Sequence, residues 1–343
     1  MLKEQLKLLK NAYEIYFSDQ RENIDKQILE YVKRLIIENE DIVEKLIDEY
    51  KEQFEVNQIY QIIDEALNSE DIYKTKKVFK KRNDGFMNGK YITSIGTIAI
   101  ECSDTLKVLK YFCDGIKSRN AIAISDIEFD ETSLKSAFLV FFCEALEKLG
   151  LDKNLLMILP FEECYYEKFD RVIYSEEKDI KVKTRQKQEV LYLYLEDEFF
   201  EEEVKQEIEK LKKKEKQYNV LSGDFYKVVN KINKSFNKGA VIYTRKPELG
   251  YKFINFIHSE NVFVNATFEN IIDLEEYQNP LYMNKNIMYQ IDKNIKNEND
   301  IETIGKINKI EETSKEENSL ILPEENIWYK KIIRKIKQIF RII

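Results

Sequence analysis

Four cysteines and one histidine are the side chains of this 343-residue sequence best suited to nucleophilic or metal chemistry. Cys102, Cys113, Cys143 and Cys164 show no metal-ligand spacing, and His258 has no cysteine or carboxylate cluster beside it, so no metal site is expected. Cys113 and Cys143 fall in amphipathic helical patterns among Tyr, Phe and Leu, where a thiol is an inert packing group. Cys164, in PFEECYYEK, is flanked by Glu162 and Glu163, and such neighbours suppress the thiolate. Cys102 is the one candidate nucleophile, because it ends a strand-like run where functional loops gather; with no basic partner nearby in sequence, packing is the competing reading. His258 reads as a packing or capping group, and Asn265 in VNATF as a turn or strand-end residue with a place near a reaction centre as the alternative. Gly85 and Gly89, in NDGFMNGKY, read as a hairpin or loop and not as a phosphate cradle.

The stretch GIKSRNAIAISD, residues 115–126, has the order of a nucleotide site. A helix ends, the chain turns at residues 118–120, and a short apolar strand emerges at 121–124. Ser125 and Asp126 then stand where a phosphate-binding protein would carry glycine or a cation. VIYSEEKD poses the same conflict, since Glu176 and Glu177 would repel an anion by about 1–4 kcal/mol per pair near a surface. A solvated turn is the plain alternative there.

These groups must be positioned by elements of alternating type. Residues 1–75 read as helices, with a stripe at Ile28, Val32, Ile36, Ile42, Leu46 and Tyr50 and one break near Asn39. From Tyr91 the pattern becomes YITSIGTIAIE (strand), SDTLKVLKYFCDGI (helix, capped by Ser103 or Asp104), AIAIS (strand) and DETSLKSAFLVFFCEALEKLG (helix, closed by Gly150). NLLMILP, RVIYS and EVLYLYLE continue as strands, followed by an acid-first, base-last helix in EEEVKQEIEKLKKKEKQ. Helix, strand, helix and strand recur in 224–268. Such alternation predicts an α/β fold, with a Rossmann-like parallel sheet flanked by helices.

Composition agrees with a folded chain. It is 43% hydrophobic, 34% charged and 12% aromatic, with a net charge of -8 that argues against nucleic-acid binding. No run nears the roughly 18 apolar residues of a membrane span, and the charged amphipathic start MLKEQLKLLKNAYEIYF lacks a signal-peptide core. Four cysteines without a framework read as reduced thiols of a cytoplasmic protein.

The order of these segments resembles the aldehyde dehydrogenase superfamily, and most of all its glutamate-5-semialdehyde dehydrogenase (γ-glutamyl phosphate reductase) branch. SIGTIAIE with its helix is similar to the family's first Rossmann-like strand and helix. Lys117, Ser118, Asn120 and Ala121 match the branch's Lys-Ser-Gly-Asn-Ala turn, FCEALEKLGLDKNLLMILP its next helix and strand, and 232–268 its closing αβαβ ending in Val264–Ala266. Together the matches cover most of 90–180 and 224–270. The resemblance implies a cysteine nucleophile, oxyanion donors and a nicotinamide cofactor. Lys117, Ser118, Asn120 and Ser125 are the cofactor-binding positions it marks. The sequence departs from it at all three parts. Residues 197–223 span the gap in which the nucleophile should lie and contain no cysteine, so most of the family's catalytic domain is missing. The glycine pair after the strand is replaced by Glu176 and Glu177, and a carboxylate of the branch falls loosely on Arg185.

The expected layout is an N-terminal helical region (1–86), a Rossmann-like cofactor-type domain (87–188), a connecting strand and helix with a remnant of a catalytic domain (189–292), a polar linker (293–326) and a basic amphipathic helix (327–343). On that last helix Tyr329, Ile332, Ile333, Ile336, Ile339, Phe340 and Ile343 share one face. Lys330, Lys331, Arg334, Lys335, Lys337 and Arg341 share the other. With Trp328, it suits an anionic membrane surface, worth about 1 kcal/mol per basic residue, or docking on an acidic protein surface. Three functional readings stay open. One is a degenerate, catalytically inactive member acting as an interaction or scaffold protein, cytoplasmic or peripheral to a membrane, with no cofactor. The second is an active NAD(P)-dependent oxidoreductase acting on an aldehyde or acyl group through Cys102. The third is a regulatory subunit of a complete aldehyde dehydrogenase relative. A homo-oligomer is compatible with each.

Overall fold

The computed structural model describes residues 2–19, 21, 23–69, 78–81, 86–126, 130–159, 166, 168–175, 181–184, 188–233, 237–271 and 281–290. Cys164, Gly85, Glu176, Glu177, Arg185, the 293–326 segment and the basic segment 327–343 lie outside the described residues.

Four helices open the chain: α1 (Leu2–Ser18), α2 (Ile24–Glu38), α3 (Glu40–Glu49) and α4 (Val56–Asn68). The break expected near Asn39 separates α2 from α3, and the Asn39 side chain donates to the Leu35 carbonyl at 2.7 Å, occupying a group the ending helix leaves open. Of the predicted stripe, Ile28, Val32 and Ile36 are fully buried and Leu46 is buried, whereas Ile42 and Tyr50 are only partly buried and Val43 takes the interior place on α3. The helices cover the first sheet and form one continuous core with it.

A hairpin, β1 (Val78–Lys81) and β2 (Phe86–Ser94), precedes that sheet but belongs to the second one. Gly89 sits within β2, opposite Phe79, as the hairpin reading of that segment requires. The first sheet contains β3 (Thr97–Glu101), β4 (Ala121–Ser125), β5 (Leu156–Leu159), β6 (Arg171–Tyr174) and β7 (Lys181–Thr184), in the order β5-β4-β3-β6-β7. All neighbours are parallel except β7, which runs against β6. The crossovers are α5 (Thr105–Lys117) and α6 (Leu134–Lys148). Strands β4 and β5 are buried throughout, which explains their unbroken apolar spelling. Gly115 lets α5 lie against β4, because a Cβ there would collide with Ile122 Cγ1.

The second sheet comprises β8 (Gln188–Leu195), β9 (Gln217–Leu221), β10 (Asn237–Tyr243), β11 (Asn261–Val264) and β12 (Tyr282–Gln290) together with the hairpin, in the order β1-β2-β12-β11-β10-β8-β9. Helix α7 (Glu201–Lys213) covers one face, and α8 (Phe225–Asn233) with α9 (Pro247–Phe256) covers the other. The fold is therefore α/β, with largely parallel sheets flanked by helices. The predicted order of elements from β3 to β11 matches the observed one except at two edge strands that the sequence reading did not include: β7, and β9, which carries no clear apolar signal because most of it is exposed.

Strand β12 escaped sequence reading for a different reason. Its spelling, YMNKNIMYQ, puts Lys285 and Asn286 in the interior. Lys285 Nζ donates to the Ile254 carbonyl at 2.5 Å, and Asn286 Nδ2 donates to Asn261 Oδ1 at 2.9 Å. Buried polar groups are tolerated when satisfied, and the partners come from α9 and β11, which no local pattern reveals. Among the described residues no helix is long and apolar enough to cross a membrane.

Candidate functional site at the carboxyl edge of the first sheet

In open α/β sheets ligands bind beyond the carboxyl ends of the strands, so the candidate site is built from Glu101 and Cys102 after β3, Ser125 and Asp126 after β4, and Ser175 after β6. The N-termini of α5 and α6 converge on this edge with the turn that links α3 to α4, enclosing a cleft of about 500 Å³. Tyr50, Glu52, Phe54, Asp104, Thr105, Asp130 and Lys135 are among its walls.

A helix N-terminus is an anion site because its first N–H groups are unpartnered. At α5 that role is filled internally. The Asp104 carboxylate accepts from the Lys107 N–H at 2.8 Å, and Thr105 Oγ1 donates to Glu52 Oε1 at 2.5 Å. The turn that leads into α6 is held by a carboxylate too. Asp130 Oδ1 accepts from the N–H and the hydroxyl of Thr132, both at 2.8 Å, while Tyr50 donates to Asp130 Oδ2 at 2.8 Å. Asp126 is buried and ion-paired with Lys135, whose Nζ also donates to the Ser103 carbonyl at 3.0 Å. Tyr166 donates to Glu101 Oε2 at 2.9 Å, and burial together with that carboxylate pushes its hydroxyl up to about 12. Lys107 Nζ reaches the Ser175 carbonyl at 3.2 Å and Tyr111 reaches Ser175 Oγ at 3.1 Å. The Asp104 carboxylate occupies the α5 start, Asp130 holds the turn before α6, and the two lysines donate to internal acceptors. At the start of α5 the Asp104 carboxylate stands where a pyrophosphate would meet the helix.

Cys102 is 2% exposed, with its thiol toward the Asp104 carbonyl at 3.7 Å. Cys113 and Cys143 are buried, and burial pushes both thiols up, Cys143 to about 12. Such thiols hold their protons at neutral pH.

The other cofactor-type candidates are not together. Lys117, Ser118 and Asn120 lie before β4, whereas Ser125 lies at its far end, roughly 16 Å away for a strand of this length. Lys117 is buried against Asp25 of α2 at 3.1 Å. Asn120 is fully buried with all four side-chain hydrogen-bonding directions in use. Its Oδ1 accepts from the Ile95 and Gly96 N–H groups at 2.8 and 2.9 Å, and its Nδ2 donates to Ser118 Oγ and to the Leu281 carbonyl at 2.8 and 2.6 Å. The turn that resembles a cofactor motif thus ties the first sheet to the chain entering β12.

His258 packs edge-on to Tyr13 and Phe17 of α1, with Tyr13 Oη 3.2 Å from its Nε2. Asn265, at φ 51°, ends β11 and clasps the Thr244 backbone by its Oδ1 and Nδ2 at 2.9 and 2.8 Å. Among the described residues no group of His, Cys, Asp and Glu could hold a metal ion. Sequence reading missed the α3–α4 turn as a wall of the cleft, since its contacts with Thr105 and Asp130 span more than fifty residues of chain.

No family model and no curated protein matches the sequence. Among solved structures the chain is similar to γ-glutamyl phosphate reductase from Saccharomyces cerevisiae, at 11% identity over 86% of this chain and 98% of that one, with a TM-score of 0.45. It is similar to γ-glutamyl phosphate reductase from Thermotoga maritima at 14% identity over 84% and 98%, TM-score 0.43. It is also similar to glyceraldehyde-3-phosphate dehydrogenase from Methanocaldococcus jannaschii, a structure complexed with NADP, at 9% identity over 84% and 94%, TM-score 0.44.

Proposed function

We propose that the chain is a catalytically inactive protein of the glutamate-5-semialdehyde dehydrogenase type, acting as an interaction or scaffold protein. One observation carries the reading: the α5 N-terminus, where a phosphate would gain most, holds the Asp104 carboxylate in its place. The buried thiols of Cys113 and Cys143, both pushed up by burial, and the burial of Cys102 support it. The resemblance in segment order supplies the family, and the missing groups supply the inactivity.

Titration with NADH and NADPH, followed by calorimetry and by fluorescence transfer, tests the reading. No heat and no transfer at millimolar cofactor is the expected result. Saturable binding, joined by rapid alkylation of Cys102 in the folded protein, would instead establish the oxidoreductase reading. A regulatory subunit would bind a complete aldehyde dehydrogenase and change its rate without turnover of its own.

The basic face of 327–343 favours a second element of the proposal, contact with an anionic membrane surface through Trp328, the lysines and arginines, and Phe340. Co-sedimentation with anionic vesicles should vanish on deletion of 327–343. Pelleting of the truncated chain would remove the tail from that role.

A further inference from the structure

An open sheet ends in strands whose outward N–H and C=O groups can pair with another strand, and proteins commonly blunt such ends with charge or cover them. Among the described strands four lie at sheet ends: β5 and β7 in the first sheet, β1 and β9 in the second. Strand β1 is spelled VFKK and β7 KVKT, with two lysines each. Strand β5 is buried throughout. Strand β9, QYNVL, has neither device. It carries no charge and no proline, and Gln217, Asn219 and Val220 are exposed, Val220 by 44%. Phe199, 65% exposed, lies just before α7, and Tyr226, 57% exposed, just after β9.

Helix α7 joins β8 to the parallel β9, so it runs back along this edge from the carboxyl ends of the strands to their amino ends. Its charges are ordered along that path. Residues 198–205 hold four glutamates and one lysine, Lys205, which pairs with Glu201 at 3.7 Å. Residues 209–216 hold five lysines and two glutamates, and one of the lysines, Lys210, pairs with Glu269 at 3.2 Å. Glu196 and Asp197, ahead of the helix, are already matched by Lys246 and Arg245. The face that α7 covers therefore has a negative end and a positive end beside an unpaired strand.

We propose that β9 is the surface through which two copies of this chain pair, antiparallel, into one continuous sheet. A two-fold axis normal to the sheet at Asn219 generates that arrangement. It sets Tyr218 of one copy opposite Val220 of the other, twice, on the face that α7 covers, where Tyr218 is partly buried. About four to six main-chain hydrogen bonds form, depending on which alternate residues of β9 point outward. The same axis lays the two α7 helices side by side and antiparallel, the glutamate end of each beside the lysine end of the other. With strands ~4.8 Å apart and each helix over β8 and β9, the helix axes lie roughly 10–15 Å apart, within reach of paired Glu and Lys side chains. Parallel pairing of the same edges would put the two helices on opposite faces and leave those charges unmatched. The contact uses the same surface on both copies, so it closes at two, and it stands independently of any role for the first sheet.

Sedimentation equilibrium of the full chain tests the assignment. A dimer is expected, weakened at high salt. Val220→Lys, at an exposed position, gives β9 the charge that β1 and β7 carry, and should raise the dimer dissociation constant at least about tenfold with circular dichroism unchanged. Glu202→Lys with Glu203→Lys brings like charges together, and so does Lys213→Glu with Lys214→Glu. Each of these variants alone should dimerise at least about tenfold more weakly. An equal mixture of the two should dimerise again, because one contact then keeps its native signs and the other carries them exchanged. A monomer at every concentration up to about 0.1 mM, an assembly larger than two, a dimer indifferent to Val220→Lys, or a mixture that does not recover would each overturn the proposal.

Discussion

Replacing Lys117 by Met distinguishes an interior brace from a ligand-binding lysine. Lys117 and Asp25 meet at 3.1 Å with side chains 5% and 6% exposed, and Lys117 Nζ also lies 3.4 Å from the Ser69 carbonyl. Removing one partner from a buried pair costs about 3–5 kcal/mol, because the remaining charge is uncompensated. Asp25 lies in the first turn of α2, where the open N–H groups offset part of that loss, so about 3 kcal/mol is the expected figure. That is a large share of a typical stability of about 5–15 kcal/mol. Urea unfolding followed by circular dichroism should show it. Asp25→Leu alone should lose a similar amount, while Asp25→Leu with Lys117→Met should return to within about 1 kcal/mol of the wild type, as apolar replacement of a buried pair often does. The double-mutant cycle then yields a coupling above about 2 kcal/mol. A Lys117→Met protein as stable as the wild type, or a cycle without coupling, would refute the brace and leave Lys117 available for a ligand.

Asn120→Ala strands the Ile95 and Gly96 N–H groups and the Leu281 carbonyl, and should cost roughly 2–4 kcal/mol, with faster amide exchange at Ile95 and Gly96. Gly96→Ala should cost about 2–3 kcal/mol in the same unfolding assay, because the residue sits at φ +130° and a Cβ would strike Asp170 Oδ2, which accepts from Thr97. For His258, burial and the charges of Lys285 and Lys10 push the imidazole down to about 3 from its ordinary 6.5. Between those values the unfolded chain binds a proton that the folded one does not, so this stability is complete above pH 6.5 and falls as pH drops toward 3. Because the residue keeps some contact with solvent, which screens its charge, about 1 kcal/mol should be lost by pH 5, and the difference in pH dependence between wild type and His258→Gln measures it.

What the sequence determined by itself is local. The stripe through Ile28, Val32 and Ile36, the break at Asn39, the Asp104 cap and the apolar spelling of β4 are encoded within one or two turns of chain, and each element formed where its pattern predicts. The α/β class follows from their order. Only the tertiary structure decided the rest. Lys117 and Asn120 sit in a turn that resembles a cofactor motif, yet their partners are Asp25, 92 positions earlier by their residue numbers, and the Leu281 carbonyl, 161 residues later. Strand β12 hides a buried lysine whose acceptor is on α9, and Glu207 looks like one more surface glutamate until Phe268 closes over it. Periodicity and capping are short-range and leave a signature in the spelling. The pairing of buried polar groups depends on which distant segments meet, and composition carries no record of that.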